Sequence, residues 1–406
     1  MGATGGNWSD PAASSLLSAR AVRDASRRAL RLAEADELQH WRLDRDQLPA
    51  IAGYTLDTIR RTYPTLDIPF HARWRHFSAG GKDRWAALAA GAHWRDKAAR
   101  ARAAFDLAIV SVLLDAGAGP DWRYVEKDGA VFQRSEGLAV ASLQMFAEGR
   151  FSADLRAPLR ADAKRLAALT PEDLAAGFQI GGDNSLVGLE GRAALLNALG
   201  RACLAAPAVF AGEDDARPGG LFDHFAQGGH RIAAHDILAA VLVHLGAIWP
   251  SRLSIGGVAL GDCWRHEKIG LTPLHKLSQW LSYSLIEPLG WGGVETLDVD
   301  GLTGLAEYRN GGLFVDFGAL APRDAGALAL AHEVGSPLVV EWRALTVALL
   351  DETAALIRAN LGLDAGALPL ARVLEGGTWA AGRRIARERR ADGGPPLRVV
   401  SDGTVF

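Results

Sequence analysis

The side chains best suited to bind an anion lie together between residues 62 and 85. Cationic and imidazole groups are set among tryptophan and phenylalanine rings there; they are Arg73, Arg75, His76 and Lys82. A guanidinium is a planar fork that donates two hydrogen bonds to a phosphate, and the Gly80-Gly81 pair lets backbone N–H groups approach a ligand. The pattern indicates an anion site, although a basic loop that covers the core has the same composition.

A second polar group follows a glycine-rich turn in the segment SRLSIGGVALGDCWRHEKIG. It places the carboxylate of Asp262 within a few residues of the ring of Trp264 and the cation of Arg265. Asp262 also fits the N-cap of a following helix, so both roles stay open for it. Trp264 and Arg265 are candidate substrate-binding residues.

The periodicity of LTPLHKLSQWLSYSLIEPL predicts a helix over residues 271–290. His275, Gln279 and Ser282 fall on one stripe at i, i+4 and i+7, with Lys276 beside it. Polar residues on one flank of an apolar helix line a pocket or face solvent. His275, Lys276 and Gln279 are therefore candidate substrate-binding residues.

The densest polar stretch of the C-terminal half is DGLTGLAEYRNGGLFVDFG, residues 300–318. It holds four consecutive polar side chains, Glu307, Tyr308, Arg309 and Asn310. The apolar run that follows two glycines predicts a short strand over 313–317 with Asp316 near its end. A buried carboxylate is costly unless it is paired or poised for chemistry. Glu307 and Asp316 are candidate catalytic acids, and the other three residues are candidate substrate ligands.

The segment HRIAAHDILAAVLVHLGAIWP predicts an apolar helix with His235 and Asp236 in its first turn. The helix dipole favours an acid at that position. Asp236 is therefore either a capping residue or a catalytic carboxylate.

Motifs whose spacing is dictated by metal or phosphate geometry are incomplete or absent. His332-Glu333 begins an HExxH pattern, but Ser336 stands where the second imidazole is needed. No GxxxxGK[ST], no GxGxxG after a strand and no GxSxG elbow occurs. Cys203 and Cys263 are far apart and form no CxxC pair. The sequence calls for no metal and no cofactor.

Helical periodicity dominates the elements that must position these groups. The predicted helices cover residues 14–35, 82–116, 135–148, 156–169, 187–206, 230–248, 271–290, 322–334, 338–361 and 376–390. Strand patterns are confined to 313–317 and the tail from residue 397, and residues 36–81 are predicted as loops. The sequence thus predicts a mainly α fold, a compact multi-helix domain with few short strands. We expect residues 1–81 to form an N-terminal helix and a phosphate-binding loop segment packed on the main body, and residues 82–406 to form a helical catalytic domain.

Composition limits the partners and the compartment. The 406-residue chain has 44 basic and 47 acidic residues and a net charge of −3, so no strong field attracts nucleic acid or an anionic membrane. Neither a secretory leader nor a long apolar span is visible in the sequence. We expect a cytoplasmic protein that binds a small molecule, with neither nucleic acid nor membrane as a partner.

Several motifs together resemble those of one known family. They are IPFHARWRHFSAGGKDRW, RSEGLAVASLQMF, LVGLEGRAALL, LGDCWRHE, LHKLSQWLSYSLIEPL and DGLTGLAEYRNGGL. From about residue 14 to about residue 375, the chain resembles the uracil-catabolism protein family of fungi and bacteria, the fourth component of the URC pathway. The resemblance implies a role in converting uracil, through its ribonucleotide and a ribosylurea-type intermediate, to urea, and a functional link to other enzymes of uracil catabolism.

A more distant resemblance concerns mechanism. LEGRAALLNAL, DILAAVLVHLGAI and NGGLFVDFGALAPRD are similar in order and character to segments of the queuosine-salvage nucleosidases, helical enzymes similar in fold to DNA glycosylases. That resemblance implies cleavage of an N-glycosidic bond by a carboxylate before the HLGA-type helix. Asp236 matches this acid with a shift of one residue, since His235 holds the strict position, and Asp316 matches a second carboxylate.

The two resemblances imply an N-ribosyl hydrolase acting on a ring-opened, ribosylurea-type nucleotide, with Asp236, Asp316 or Glu307 as the catalytic carboxylate. The 5′-phosphate would lie on Arg73, Arg75 and Lys82. Hydrogen bonds from Gln279 or Asn310 and stacking on Trp264 or Tyr308 would hold the leaving group. Two alternatives stay open. One is a metal-dependent amidohydrolase acting on the ureido group with Asp262, His266 and His275 as ligands, and the other is a non-catalytic nucleotide-binding subunit of the pathway.

Overall fold

The computed structural model describes residues 11–211, 215–249 and 253–400, and the protein is mainly α-helical, as predicted. The helices are α1 (Pro11–Leu16), α2 (Ala19–Glu34), α3 (Leu48–Thr62), α4 (Arg73–Phe77), α5 (Arg84–Gly91), α6 (Lys97–Leu113), α7 (Arg134–Ala147), α8 (Ala163–Ala167), α9 (Pro171–Gly177), α10 (Leu189–Ala205), α11 (Pro207–Phe210), α12 (Gly220–Gln227), α13 (Ala234–Leu245), α14 (Lys276–Gly292), α15 (Tyr308–Asp316), α16 (Pro337–Leu361), α17 (Leu370–Val373) and α18 (Trp379–Arg389). A π-helical turn, Leu374–Thr378, joins α17 to α18. No helix within the described ranges is long and apolar enough to cross a membrane.

The strands are short and occur only in pairs among the described residues. They are β1 (Trp41–Leu43), β2 (Tyr124–Val125), β3 (Val131–Phe132), β4 (Arg231–Ala233), β5 (Ser254–Ile255), β6 (Val258–Ala259), β7 (Cys263–His266), β8 (Gly270–Pro273), β9 (Glu295–Leu297), β10 (Leu320–Pro322), β11 (Ala331–Glu333) and β12 (Arg398–Val400). The β7–β8 hairpin is antiparallel and pairs Trp264 with Thr272, whereas β11 and β12 run parallel. The strand predicted in the tail is present as β12, and its last predicted residues, 401–406, lie outside the described ranges.

Three predictions of secondary structure are wrong. Residues 313–317 do not form a strand, because Glu307 caps the helix α15, which contains residues 313–316. Residues 322–334 are not a helix, because β10 and β11 pair with β1 and β12 on either side of a 3₁₀ turn. The predicted loop 36–81 contains the helix α3.

The described residues divide into two compact units. Unit 1 consists of residues up to 71, 253–279 and 298–400, and unit 2 of residues 72–211, 215–249 and 280–297. Residues 72–81 therefore pack in the same unit as the residues that follow them. The boundary that we expect after residue 81 divides a phosphate-binding segment from a catalytic domain. This division of roles stays a prediction.

Unit 1 is organised around α16. The Ser336 hydroxyl accepts a hydrogen bond at the start of this helix, and Gly362 ends it in the left-handed conformation that favours glycine. Helix α2 packs against α16, where Arg23 pairs with Asp351 at 2.9 Å. Most of α16 is buried, so the polar groups that it carries must be paired.

Unit 2 packs α6 against α7 and α12. The carboxylate of Asp106 is buried in α6 and accepts hydrogen bonds from Ala161 N at 3.0 Å, Gly219 N at 2.6 Å and Arg217 Nε at 2.9 Å. One charged group thus fixes two loops to the central helix. The stretch predicted as helical over residues 82–116 contains the two helices α5 and α6.

Candidate functional site

In unit 1, two helices begin at one group of polar side chains. Helix α14 starts after His275, and α15 starts after Glu307. We call the side chains of Asp262, His275, Lys276, Glu307 and Arg343 the polar cluster. The N-terminal ends of both helices add positive potential to it, which favours carboxylates and other anions.

Asp262 is the fixed anion of the polar cluster. Its oxygens accept hydrogen bonds from Arg343 Nη1 at 2.9 Å and Nη2 at 2.7 Å, from Trp264 Nε1 at 2.8 Å and from Lys276 N at 3.0 Å. Burial by itself raises the pKa of Asp262, but the Arg343 guanidinium and these hydrogen bonds outweigh it and lower the pKa to about 2. Asp262 therefore stays charged and is fully engaged.

Glu307 is the carboxyl group of the polar cluster that can change its charge. It caps α15 by accepting hydrogen bonds from Arg309 N at 2.7 Å and from Asn310 N. Burial raises the pKa of Glu307 above its usual range, although these bonds and the charges of Lys276 and Arg309 oppose the shift. A carboxyl with a raised pKa is suited to donate a proton near neutral pH.

His275 is held in a single tautomer. It occupies the left-handed region at φ 46°, which strains a residue with a side chain. Its Nε2 lies 2.9 Å from the Leu16 carbonyl, so Nε2 donates and Nδ1 carries the lone pair. Burial lowers the pKa of His275, and Nδ1 is buried without a hydrogen-bond partner among the described residues.

The loop between α14 and α15 is held by amide side chains. Gln279 Oε1 accepts from Thr303 N at 2.8 Å, and Gln279 Nε2 donates to the Thr303 hydroxyl. Asn310 Nδ2 donates to the Leu305 carbonyl at 3.3 Å, whereas Asn310 Oδ1 is buried with no partner in the described ranges. Gln279 thus supports the loop, and Asn310 retains an acceptor.

The remaining predicted ligands of unit 1 lie around this cluster or on the surface. The Arg309 guanidinium stacks on the half-buried Tyr308 ring at 5.0 Å and donates to the Gly393 carbonyl at 2.7 Å. Arg265 is exposed on β7. Their roles as substrate ligands stay predictions.

The two predicted catalytic aspartates have different surroundings. Asp316 ends α15 and accepts two hydrogen bonds from Arg390, at 2.7 and 2.6 Å, so it ties α15 to the segment after α18. Asp236 belongs to unit 2, where its side chain is 61 % exposed beside His235. Asp316 is thus held by a cation, and Asp236 lies at the surface.

The basic cluster of residues 73–82 is engaged within unit 2. Arg73 is buried and contacts Asp115 at 2.8 Å, Ser111 at 2.8 Å and His76 at 3.1 Å. Arg75 Nη2 donates to both oxygens of Glu287, at 2.6 and 2.8 Å. Lys82 is exposed and pairs with Asp128. A phosphate would have to displace a carboxylate at each cation, and the assignment of these residues to a phosphate stays a prediction.

No group of three or more His, Cys, Asp or Glu side chains in the described ranges is arranged to hold a metal ion. Asp262 is bound by Arg343, and His266 instead contacts Glu341 at 3.2 Å. His275 is turned to the Leu16 carbonyl. The three residues considered as metal ligands are thus separately engaged.

The sequence interpretation missed Arg343. It lies in the apolar stretch PLVVEWRALTVALL of α16 and is 1 % exposed. An arginine inside such a stretch is a signal in itself, because a buried cation requires an anion as its partner. The partner, Asp262, is distant in sequence and was not predictable from the motif.

The fold and the site define a mainly α-helical protein with a buried cluster of carboxylates and cations at two helix starts. The chain belongs to the family described as "protein of unknown function (DUF1688)", whose model matches residues 15–406. It is 39 % identical over 403 residues to "Protein urg3" of Schizosaccharomyces pombe, covering 96 % of this chain and 98 % of that protein. It is also 36 % identical over 431 residues to "Uracil catabolism protein 4" of Lachancea kluyveri, covering 95 % and 97 % of the two chains.

Proposed function

We propose that this protein acts in uracil catabolism as an N-ribosyl hydrolase that cleaves the C–N glycosidic bond of a uridine-derived, ribosylurea-type nucleotide. The pathway is supported by near full-length similarity to a relative named "Uracil catabolism protein 4". The reaction is supported by the acid–base character of the polar cluster and by the resemblance to helical nucleosidases.

The proposal rests on the buried carboxyl group of Glu307. Burial raises its pKa, which favours the protonated form that a general acid requires. Asp316 is instead held by Arg390, and Asp236 is mostly exposed. Glu307 is therefore the general acid in our proposal, and the two aspartates have structural or surface roles.

Two buried acceptors suit the leaving group. His275 Nδ1 and Asn310 Oδ1 each lack a hydrogen-bond partner among the described residues. A buried acceptor without a donor costs about 1–3 kcal/mol, and a ligand that supplies N–H groups recovers this cost. A ureido group is rich in N–H donors, so both acceptors favour urea over a purely oxygen-bearing leaving group.

The reaction needs one proton donor and one water. Glu307 protonates the departing ureido nitrogen, the C1′–N bond breaks, and both electrons of that bond go to nitrogen. Positive charge develops on the ribose, and the nearby carboxylates stabilise it. Water adds to C1′ and loses a proton to Glu307, which restores the acid and gives urea and ribose 5-phosphate.

The test uses purified full-length protein and ribosylurea 5′-phosphate, with urea and ribose 5-phosphate measured by mass spectrometry. Glu307→Gln should lose at least about 100-fold in rate, because general acid catalysis contributes roughly that much. The amide oxygen of Gln can still cap α15. Activity of the unmodified protein should also fall as pH rises past the raised pKa of Glu307.

Asp236→Asn is the matched control, since it changes an exposed carboxylate in the same way and should retain the rate. Equal activity of Glu307→Gln and the unmodified protein would contradict the assignment of the acid. Release of ammonia instead of urea would favour an amidohydrolase, and no turnover by any of the proteins would contradict the reaction itself.

A further inference from the structure

Helix α18 in unit 1 carries an open cavity that the proposed reaction does not use. Its volume is about 510 Å³, and the lining residues are Trp379, Ala380, Arg383, Arg384, Arg387 and Glu388. Three cations thus face one anion in a space of the size that small-molecule ligands occupy. Residues 381, 382, 385 and 386 of the same helix are buried, so the cavity lies on the face opposite the packed one.

The arginines of this cavity are held in different ways. The Arg384 guanidinium pairs with Asp57 at 2.6 Å and Glu388 at 3.0 Å, and lies 4.2 Å from the Tyr54 ring. The Arg383 guanidinium lies 4.8 Å above the Trp379 ring. A stacked guanidinium keeps its N–H groups at the edge, where they can donate to an anion.

Arg387 is the cation without an anionic partner. It is exposed, and no residue in the described part of the chain forms an ion pair with it. It lies one helical turn after Arg383, so both guanidinium groups can reach the same anion. Glu388 is paired with Arg384, so its charge is already engaged beside Arg387.

The Trp379 ring, on which the Arg383 guanidinium stacks, also contacts a histidine ring. His71 contacts the Trp379 ring at a centroid distance of 5.8 Å, and its Nδ1 lies 2.6 Å from Glu375 Oε2. Glu375 lies on the π-helical turn Leu374–Thr378, a rare geometry that often accompanies functional sites. Gly377 lets this turn pack closely against α3, because a Cβ there would lie 2.8 Å from Thr55.

We propose that this cavity binds a phosphate-bearing small molecule of the size of a sugar phosphate or nucleoside monophosphate. Arg383 and Arg387 bind the phosphate, and Trp379 holds Arg383 in the orientation for binding. Two guanidinium groups match the charge and the bidentate geometry of a phosphate monoester. This proposal is separate from the reaction proposed at Glu307.

Binding is measured by calorimetry on the full-length protein at low salt, with uridine 5′-monophosphate, inorganic phosphate and uridine as probes. The monophosphate should bind, inorganic phosphate should bind more weakly, and uridine should not bind. Arg387→Gln should weaken binding of the monophosphate at least about tenfold, because a charge-assisted hydrogen bond contributes roughly 1.4 kcal/mol or more.

Arg389→Gln is the matched control, because Arg389 is exposed in the same last turn of α18 but does not line the cavity. It should leave the affinity unchanged. Equal weakening by both substitutions would show general attraction to a basic helix end and overturn the proposal, as would equal binding of uridine or no binding of the monophosphate. Since no turnover is measured, the result does not depend on the reaction proposed at Glu307.

Discussion

At the scale of single residues, the same chemical group has different uses in this protein according to its surroundings. Asp262 and Glu307 belong to one polar cluster, yet the pKa of the first is lowered by Arg343 and the pKa of the second is raised by burial. Pairs of carboxyls whose environments move their pKa values apart are typical of acid–base sites. This contrast distinguishes Glu307 from the other candidate acids.

The Asp262–Arg343 pair predicts a defined dependence of stability on pH. Because the folded-state pKa of Asp262 is about 2 and lies below the usual value of 3.8, its contribution is present above about pH 4 and is lost as pH falls toward 2. The free energy of unfolding in urea, measured between pH 5 and pH 2.5, should therefore fall more steeply for the unmodified protein than for Asp262→Asn.

The variant should already be less stable at pH 5, since removing one partner leaves the buried Arg343 charge unpaired. Asp236→Asn serves as the control, because that side chain is mostly exposed. Equal slopes for the unmodified protein and Asp262→Asn would show that the Asp262–Arg343 pair does not determine how the free energy of unfolding falls at acid pH.

At the scale of secondary-structure elements, glycines decide how closely helices pack in unit 1. A Cβ on Gly382 of α18 would lie 2.1 Å from the Arg309 carbonyl of α15, and a Cβ on Gly311 would lie 2.6 Å from the Trp342 ring of α16. The glycine pair that we interpreted as the approach to a strand is thus a packing surface of a helix. The helix forms there because Glu307 caps it and Trp342 fills the space beside it.

Two glycine substitutions test this interpretation. Gly382→Ala should lower the free energy of unfolding by about 1–3 kcal/mol, the usual cost of overpacking. Gly53→Ala in α3 meets nothing within 4 Å, so it should leave stability unchanged or raise it by up to about 1 kcal/mol, because alanine favours a helix more than glycine does. Urea unfolding compares the two variants. Equal changes in the free energy of unfolding would show that stability does not depend on the close packing of α15 and α18.

At the scale of the whole molecule, each unit is assembled from segments that are separated in sequence. Unit 1 combines the described chain before residue 72 with residues 253–279 and 298–400. Helix α2 has its main partner in α16, and β1 pairs with β10. Helix α2 and strand β1 are therefore part of the core of unit 1.

This arrangement predicts the outcome of a truncation at the boundary expected from the sequence. A chain that begins at Lys82 lacks α2, β1 and α3, whose buried residues cover α16 and the π-helical turn. It should fail to give a soluble species with helical circular dichroism, whereas the full-length chain should elute from size exclusion as a soluble, helical species. A soluble, cooperatively unfolding product would instead support residues 82–406 as an independent domain.

The sequence by itself determined the mainly helical class, the positions of long helices such as α10 and α16, and the family. Helical periodicity and capping are local, so they can be read from neighbouring residues. Only the tertiary structure decided that Asp262 pairs with Arg343, that Arg73 pairs with Asp115, and that residues 313–316 lie in a helix. The physical reason is that burial and the choice of a charged partner depend on residues far apart in the chain, and these same factors move the pKa values of Glu307 and Asp262 apart.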